Sequence, residues 1–100
     1  MGQFRLTDEA KEDLKEVKAH SLTRWGAVIT QAYLQGMRVT MQMLASHQVG
    51  IDISNETWPG VFYWPYESHY LYFLRVPEGI QVIAIIHQTR LPKAVKKRQP

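Results

Sequence analysis

The spacing of apolar residues in the first half of the chain predicts a short strand followed by a helix. Phe4–Thr7 is a short extended segment, and Thr7 is a residue type that caps helices. Asp8 and Glu9 would fall in the first helical turn, where carboxylates favour the positive end of the helix dipole. The next apolar residues recur at the i, i+4, i+7 spacing of one helical stripe: Ala10, Leu14 and Val17.

A second helix is predicted from about Arg24 to Ala45, with an apolar face two rows wide. The first row has the 4,3 spacing of a packed seam and consists of Trp25, Ile29, Ala32, Gly36, Val39 and Met43. The neighbouring row consists of Tyr33, Met37, Met41 and Leu44. This width predicts burial against both a sheet and the first helix, in a helical hairpin joined around His20–Thr23. A surface for a partner is the alternative interpretation, because methionine-rich stripes adapt to varied shapes.

The second half of the chain predicts three strands. Eight of the eleven aromatic residues lie between Trp58 and Phe73, and this enrichment favours sheet structure. Turn-forming residues divide the region into strands at roughly Val61–Tyr66, Tyr70–Val76 and Ile80–Gln88. The last of these is almost wholly apolar, which indicates a central strand covered on both faces.

The predicted element order is therefore β-α-α-β-β-β. Helices that precede a mostly antiparallel sheet indicate an α+β domain in which the helical hairpin packs on one face of the sheet. Residues 1–92 form one domain in this interpretation, and residues 93–100 form a basic tail.

Length and composition narrow the class of protein. A chain of 100 residues with 45% hydrophobic residues can bury one modest core. It contains no cysteine, so it has no disulfide framework or thiol nucleophile. The N-terminus lacks the features of a signal peptide, and no stretch approaches the roughly 20 apolar residues of a membrane span. We therefore expect a soluble, cytoplasmic protein without membrane contact.

Positive charge is concentrated at the C-terminus. The net charge is only +3, but residues 90–98 contain five of the twelve basic residues and no acidic residue. A terminal cationic cluster attracts polyanions or acidic protein surfaces. Between Trp58 and Leu74, however, there is no lysine or arginine, so the aromatic block is a poor platform for stacking nucleic-acid bases.

Motifs for common enzyme and metal chemistry are missing from the sequence. There is no glycine-rich phosphate loop and no G-x-S-x-G nucleophile elbow. The four histidines are isolated and lack the i, i+4 pairing of a zinc site. The sequence predicts no metal and no cofactor.

The order and spacing of several residues resemble ParE-type toxins of the RelE/ParE superfamily, over roughly residues 4–92. The residues that carry the resemblance are Leu6, Thr7, Ala10, Asp13 and Leu14, then Trp25, Gly26, Ala32 and Tyr33, then the Pro59-Gly60 turn, and finally His69, His87, Arg90 and Pro92.

This resemblance implies a toxin of a bacterial type II toxin–antitoxin system, encoded on a plasmid or chromosome. Such a toxin inhibits DNA gyrase by binding rather than by bond cleavage, and a cognate antitoxin neutralises it. We expect no direct sequence-specific binding to nucleic acid. The residues predicted to bind the target are His87, Arg90, Lys93, Lys96, Lys97 and Arg98. The residues predicted to bind the antitoxin are Tyr33, Met37, Met41, Phe62, Trp64, Tyr70 and Tyr72.

Two departures from the family pattern keep alternatives open. Gly60 is followed by Val61, Phe62 and Tyr63 instead of arginine, and the family's Asp before the last proline is Leu91. One alternative is a RelE-like, ribosome-dependent messenger RNA endoribonuclease that uses Arg75, His87 or Arg90. The other is a decayed, non-toxic homologue that only binds its antitoxin.

Overall fold

The fold is a helical hairpin on one face of a five-stranded sheet. The computed structural model describes residues 2–53 and 59–89. Its elements are β1 (Gln3–Leu6), α1 (Asp8–Ser46), β2 (Ile51–Asp52), β3 (Val61–Tyr66), β4 (His69–Val76) and β5 (Gly79–His87). The sheet order is β1-β5-β4-β3-β2, and only β1 and β5 pair in parallel. The predicted α+β class and mostly antiparallel sheet are confirmed, whereas the two-residue β2 was not predicted.

The start of α1 follows the predicted pattern. The Thr7 hydroxyl accepts a hydrogen bond from the backbone N–H of Ala10 at 3.1 Å, which satisfies one of the free donors of the first turn. Ala10 and Val17 are buried and Leu14 is half-buried. The predicted apolar stripe therefore faces the core.

A single glycine breaks α1 and reverses its direction. Gly26 has φ 85° and ψ 175°, a conformation that is essentially restricted to glycine. The hydroxyl of Thr30 donates to that of Ser21 at 2.8 Å, although residues nine apart in a straight helix would lie roughly 13 Å apart. Residues 8–25 and 27–46 are thus two antiparallel arms. The predicted hairpin is confirmed, but its join lies at Gly26, because residues 20–23 contain no residue that interrupts a helix.

The second arm buries a different row of side chains from the one predicted as its packed seam. Met37, Met41 and Leu44 are at most 3% exposed. Trp25, Ile29 and Val39 of the predicted seam are 57%, 52% and 58% exposed. Both rows have helical spacing, so spacing alone does not select the buried one. Contact with the sheet selects it.

The central strand β5 is buried on both faces, as predicted, and contains one extra residue. Tyr72 of β4 pairs with Ala84 and Phe73 pairs with Val82, so Ile83 has no direct partner on β4. Such a bulge resets the alternation of side chains along a strand. Val82 and Ile85 therefore both pack towards α1, three residues apart.

Candidate functional site

A large cleft, here called the histidine cleft, lies between α1 and one end of the sheet. It has a volume of about 1220 Å³, beyond the 300–1,000 Å³ that is usual for small-molecule pockets. The first arm contributes Asp13, Glu16, Val17, His20, Ser21, Arg24 and Trp25. The second arm contributes Ile29, Ala32 and Tyr33, and the sheet with its β3–β4 turn contributes Tyr66, Glu67, Ser68, His69, Ile85 and His87. Its size suits the side chains of a macromolecular partner.

Strand pairing brings two histidines together at the edge of this cleft. His69 opens β4 and His87 ends β5, and the two are direct register partners. Their ring centroids are 5.3 Å apart. The backbone N–H of Gln88 donates to the carbonyl of Ser68 at 2.9 Å and extends the pairing by one step. The histidines that appear isolated in the sequence are therefore neighbours in the fold.

His69 is held neutral by its surroundings. Burial, followed by the neighbouring His87 and His20, lowers the pKa of His69 to about 4. Its Nδ1 atom lies 2.7 Å from the Tyr33 hydroxyl. Tyr33 is fixed in turn, because the Tyr66 hydroxyl donates to its carbonyl at 2.8 Å. Burial raises the pKa of both tyrosines. His69 is thus an uncharged residue that joins α1 to the sheet.

The histidine cleft is acidic. Of its described lining residues, Asp13, Glu16 and Glu67 carry carboxylates, whereas Arg24 has the only permanent positive charge. Asp13 is buried and accepts a hydrogen bond from the backbone N–H of Ile85 at 2.9 Å. Glu16 and Glu67 are exposed. This charge disfavours a polyanion in the cleft.

A second cleft, here called the basic cleft, has the opposite charge. It lies between the two arms of α1 and strand β1, and Lys18 and Arg38 are the charged residues among those described in its lining. The remaining lining residues are apolar or uncharged, namely Phe4, Leu6, Leu14, Leu22, Ala27, Thr30, Gln31, Leu34, Gln35, Met37 and Met41. An apolar cleft between two cations suits an acidic, amphipathic segment.

The residues predicted to bind the antitoxin do not form one surface. Phe62, Trp64 and Tyr33 each pack against the core cluster on the α1 side of the sheet. Tyr70 and Tyr72 lie on the opposite face, where each contacts Tyr63.

Three of the predicted antitoxin-binding side chains offer almost no surface. Met37, Met41 and Tyr72 are at most 3% exposed, because the chain's own core covers them. Met37 and Met41 form part of the floor of the basic cleft. A partner there would contact mainly the walls of the cleft.

Of the residues predicted to bind the target, the structure describes only His87. This residue is exposed, and its Nδ1 atom lies 2.9 Å from the Thr89 hydroxyl. Arg90, Lys93, Lys96, Lys97 and Arg98 lie outside the described residues.

Arg75, a residue of the alternative nuclease prediction, contacts the end of α1. Its guanidinium donates to the carbonyls of His47 and Val49. It also lies over the rings of Phe62 and Phe73, at 5.3 and 5.7 Å from their centroids. Its donors and its flat face thus have contacts within the fold, so Arg75 is a structural residue.

Within residues 2–53 and 59–89, no three His, Asp or Glu side chains are grouped so that they could hold a metal ion. The described helix is also too polar to cross a bilayer. Sequence reasoning missed Lys18 and Arg38 as partners in one cleft, because they are 20 residues apart and come together only through the reversal at Gly26.

Comparison with known proteins identifies the family. Residues 4–92 match the family model of the ParE toxin of the type II toxin–antitoxin system parDE. The chain belongs to the ParE toxin family. This ParE-family chain is 27% identical over 94 residues to Toxin ParE1 of Caulobacter vibrioides, a match that covers 94% of this chain and 97% of the relative. It is 28% identical over 102 residues to Toxin ParE of Escherichia coli, with 96% and 99% covered.

A solved structure, the chromosomal ParDE toxin–antitoxin system from P. aeruginosa, shares the fold. The TM-score is 0.71 at 21% sequence identity, with 87% of this chain and 96% of that chain covered. The ParE-type fold of the chain is therefore supported by structure as well as by sequence.

Proposed function

We propose that this ParE-family toxin acts in the cytoplasm, inhibits DNA gyrase by binding to it, and is neutralised by a cognate antitoxin. The observation that carries the proposal is the family match across residues 4–92. The contacts of Arg75 within the fold count against its use in the nuclease alternative, because stabilisation of the charge that develops during RNA cleavage needs available cations.

Supercoiling of relaxed plasmid by purified gyrase tests the target. Addition of the toxin should inhibit supercoiling and trap linear DNA. A folded toxin without effect would remove gyrase as the target. A parallel assay for cleavage of ribosome-bound messenger RNA would then separate a nuclease from an inert homologue.

We assign target binding to His87 and the basic C-terminal residues Arg90, Lys93, Lys96, Lys97 and Arg98. The positive charge of the five arginine and lysine residues suits a DNA-bound enzyme, whereas the histidine cleft is acidic. Removal of residues 93–100 should weaken gyrase inhibition and leave antitoxin binding intact. Equal loss of both activities would contradict this division of roles.

We place the antitoxin in the basic cleft, whose lining includes Met37 and Met41, two of the residues predicted from sequence to bind it. The expected partner segment is acidic on one side and apolar on the other. Its apolar side chains would meet Phe4, Leu6 and Leu34, and its carboxylates would meet Lys18 and Arg38. This assignment keeps Met37 and Met41 as the floor beneath the partner.

Charge reversal tests the antitoxin site. Lys18→Glu and Arg38→Glu should each weaken binding of the antitoxin encoded beside the toxin gene, measured by calorimetry, by roughly tenfold or more. Lys11→Glu is the matched control, because Lys11 is an exposed residue of the same arm that does not line the cleft. Equal weakening by Lys11→Glu would indicate a general charge effect and place the antitoxin elsewhere.

A further inference from the structure

The histidine cleft contains two exposed carboxylates for which neither proposed binding role provides a partner. Glu16 of the first arm and Glu67 of the β3–β4 turn both line the cleft. Neither carboxylate lies within ion-pair distance of a lysine or arginine among the described residues. Their charge repels both an acidic antitoxin segment and DNA held by gyrase. The cleft therefore suits a cationic occupant.

The rest of the cleft lining suits the other parts of a lysine-rich or arginine-rich segment. Trp25 and Ile29 are 57% and 52% exposed in the lining, and Tyr33 and Tyr66 lie in it as well. Aromatic faces attract cations, and the methylene stems of long basic side chains pack on apolar surface. The Trp25 ring already has such a contact, because the Arg24 guanidinium lies 5.6 Å from its centroid.

The end of β5 leads the chain to this cleft. His87, the last residue of β5, is part of the lining. The backbone N–H of Gln88 donates to the carbonyl of Ser68 at 2.9 Å, which keeps the chain beside the turn that carries Glu67. The backbone N–H of Thr89 donates to the Nδ1 atom of His87 at 3.3 Å. The last described residue before position 90 thus contacts a residue of the cleft.

Residues 90–98, here called the basic segment, have the chemistry that this cleft suits. They lie outside the described residues, and their sequence contains five lysine or arginine residues, no acidic residue, and the apolar residues Leu91, Ala94 and Val95. Nine residues can extend over roughly 30 Å, which allows them to follow a cleft that begins beside Thr89.

The covalent connection favours this segment over a separate basic peptide. Exposed ion pairs are individually weak. A segment joined directly to its site has an effective concentration in the millimolar range, which compensates for that weakness. A free peptide of similar charge has no such advantage at cellular concentrations.

We propose that the histidine cleft is the docking site of the basic segment of the same chain. Glu16 and Glu67 pair with its lysine and arginine side chains, and its apolar residues pack beside Trp25 and Ile29. The docking itself is independent of gyrase. Its consequence rests on the proposed function, in which the same basic residues bind the target. Docking then competes with target binding and lowers the apparent affinity of the toxin.

Disulfide formation within the full chain tests the docking, because the chain has no cysteine of its own. Ser68→Cys places a thiol in the cleft and Val95→Cys places one in the basic segment, and neither change removes a charge. Oxidised glutathione serves as the oxidant, and mass spectrometry after alkylation of free thiols measures the rate of closure.

Pro65→Cys combined with Val95→Cys is the matched control. Pro65 is exposed three residues before Ser68 and pairs with Tyr70, whose side chain lies on the face of the sheet opposite α1. The Ser68→Cys pair should close roughly tenfold faster than this control, because docking raises the local concentration of the second thiol. High salt should reduce the difference.

Charge reversal distinguishes docking from simple proximity. Glu16→Lys with Glu67→Lys should slow closure of the Ser68→Cys pair to the rate of the control. Glu12→Lys with Glu78→Lys should leave the rate unchanged. These two acids are matched to the first two, because one is exposed on the same arm, the other is exposed in the β4–β5 turn, and neither lines the cleft.

Equal closure rates for Ser68→Cys and Pro65→Cys would overturn the proposal. Equal slowing by the two pairs of charge reversals would also overturn it. Faster closure with Pro65→Cys would place the basic segment on the opposite face of the sheet, and the proposal would be wrong.

The supercoiling assay separates this inference from the proposed function. The variant with Glu16→Lys and Glu67→Lys should inhibit gyrase at a concentration roughly threefold or more below that of the wild type, because its basic segment is free. If the disulfide rates show docking but this variant inhibits gyrase no better, the docking stands and the assignment of the target to the basic residues fails.

Discussion

The Tyr33 hydroxyl and the His69 Nδ1 atom lie 2.7 Å apart and connect the second arm of α1 to the start of β4. Because His69 is neutral, its Nδ1 atom can accept the hydroxyl proton of Tyr33. The two rings also pack edge to face, with centroids 5.7 Å apart. One polar contact therefore fixes both the helix and the histidine edge of the sheet.

Removal of the Tyr33 hydroxyl should loosen this connection. Tyr33→Phe should lower the free energy of unfolding by about 1 kcal/mol, the usual net contribution of a hydrogen bond. It should also raise the pKa of His69, because the hydrogen bond that is removed stabilises the neutral form of the ring. Urea denaturation and NMR titration of the ring measure the two effects. Tyr63→Phe, on the opposite face of the sheet, should show neither effect.

The lowered pKa of His69 predicts that acid destabilises the fold. The folded-state value is about 4, below the unfolded value of 6.5, so the unfolded chain takes up the proton first as pH falls. Stability should be complete above pH 6.5 and decline towards pH 4. Since the ring is partly exposed, we expect a loss on the order of 1–2 kcal/mol rather than the full value of the shift.

Unfolding free energies measured from pH 7 to pH 4 provide the check. His69→Gln should flatten the decline relative to the wild type, and comparison of the two profiles removes the contribution of the carboxylates. His47→Gln is the control, because His47 is exposed at the end of α1. An unchanged profile in His69→Gln would show that other groups cause the acid sensitivity.

The effects of substitutions at Gly36 and Tyr66 on stability should be coupled. A Cβ atom at Gly36 would overlap the Tyr66 hydroxyl, which hydrogen-bonds the Tyr33 carbonyl. Gly36→Ala should therefore destabilise the protein by about 1–2 kcal/mol, although alanine in a helix favours folding by about 1 kcal/mol over glycine. In a Tyr66→Phe background the same change should be neutral or stabilising. Purely additive effects in a double-mutant cycle would contradict the overlap.

The buried Asp13 carboxylate should stabilise the fold more as a hydrogen-bond acceptor than through its charge. It accepts a hydrogen bond from the Ile85 N–H, beyond the point at which β1 stops pairing with β5. Asp13→Ala should cost about 1–3 kcal/mol, because it leaves that donor without this acceptor. Asp13→Asn keeps an oxygen in place and should cost less. Thermal unfolding of both variants measures the difference, and equal losses would show that the charge dominates.

The sequence was sufficient for every element except β2 and for the class of fold, because periodicity reports local structure. Thr7 as cap and Val61–Tyr66 as strand were predicted correctly. The join between the helices lies at Gly26, whereas the sequence predicted it at His20–Thr23. A glycine inside a strong helical pattern does not show whether the chain turns there. The buried row of the second arm was also misassigned, since two rows of equal spacing are distinguished only by what packs against them.

The clefts were less predictable than the fold. His69 and His87 are 18 residues apart, and only their register across β4 and β5 makes them neighbours. The charges of the two clefts likewise depend on a chain reversal that brings distant positions together. Tyr70 and Tyr72 were grouped with Phe62 by composition, whereas strand alternation sends them to the opposite face.

The extra residue at Ile83 shifts the alternation of inward-facing and outward-facing side chains along β5 by one position. Before it, even-numbered residues such as Val82 face α1, and after it odd-numbered residues such as Ile85 do so. If Ile83 instead paired regularly with Tyr72, without the bulge, the strand would remain but every residue after Ile83 would move to the opposite face of the sheet. His87 would then leave the side of the sheet that it shares with Tyr33. The side of the sheet on which His87 lies thus depends on the bulge at Ile83, a residue that pairs with neither histidine.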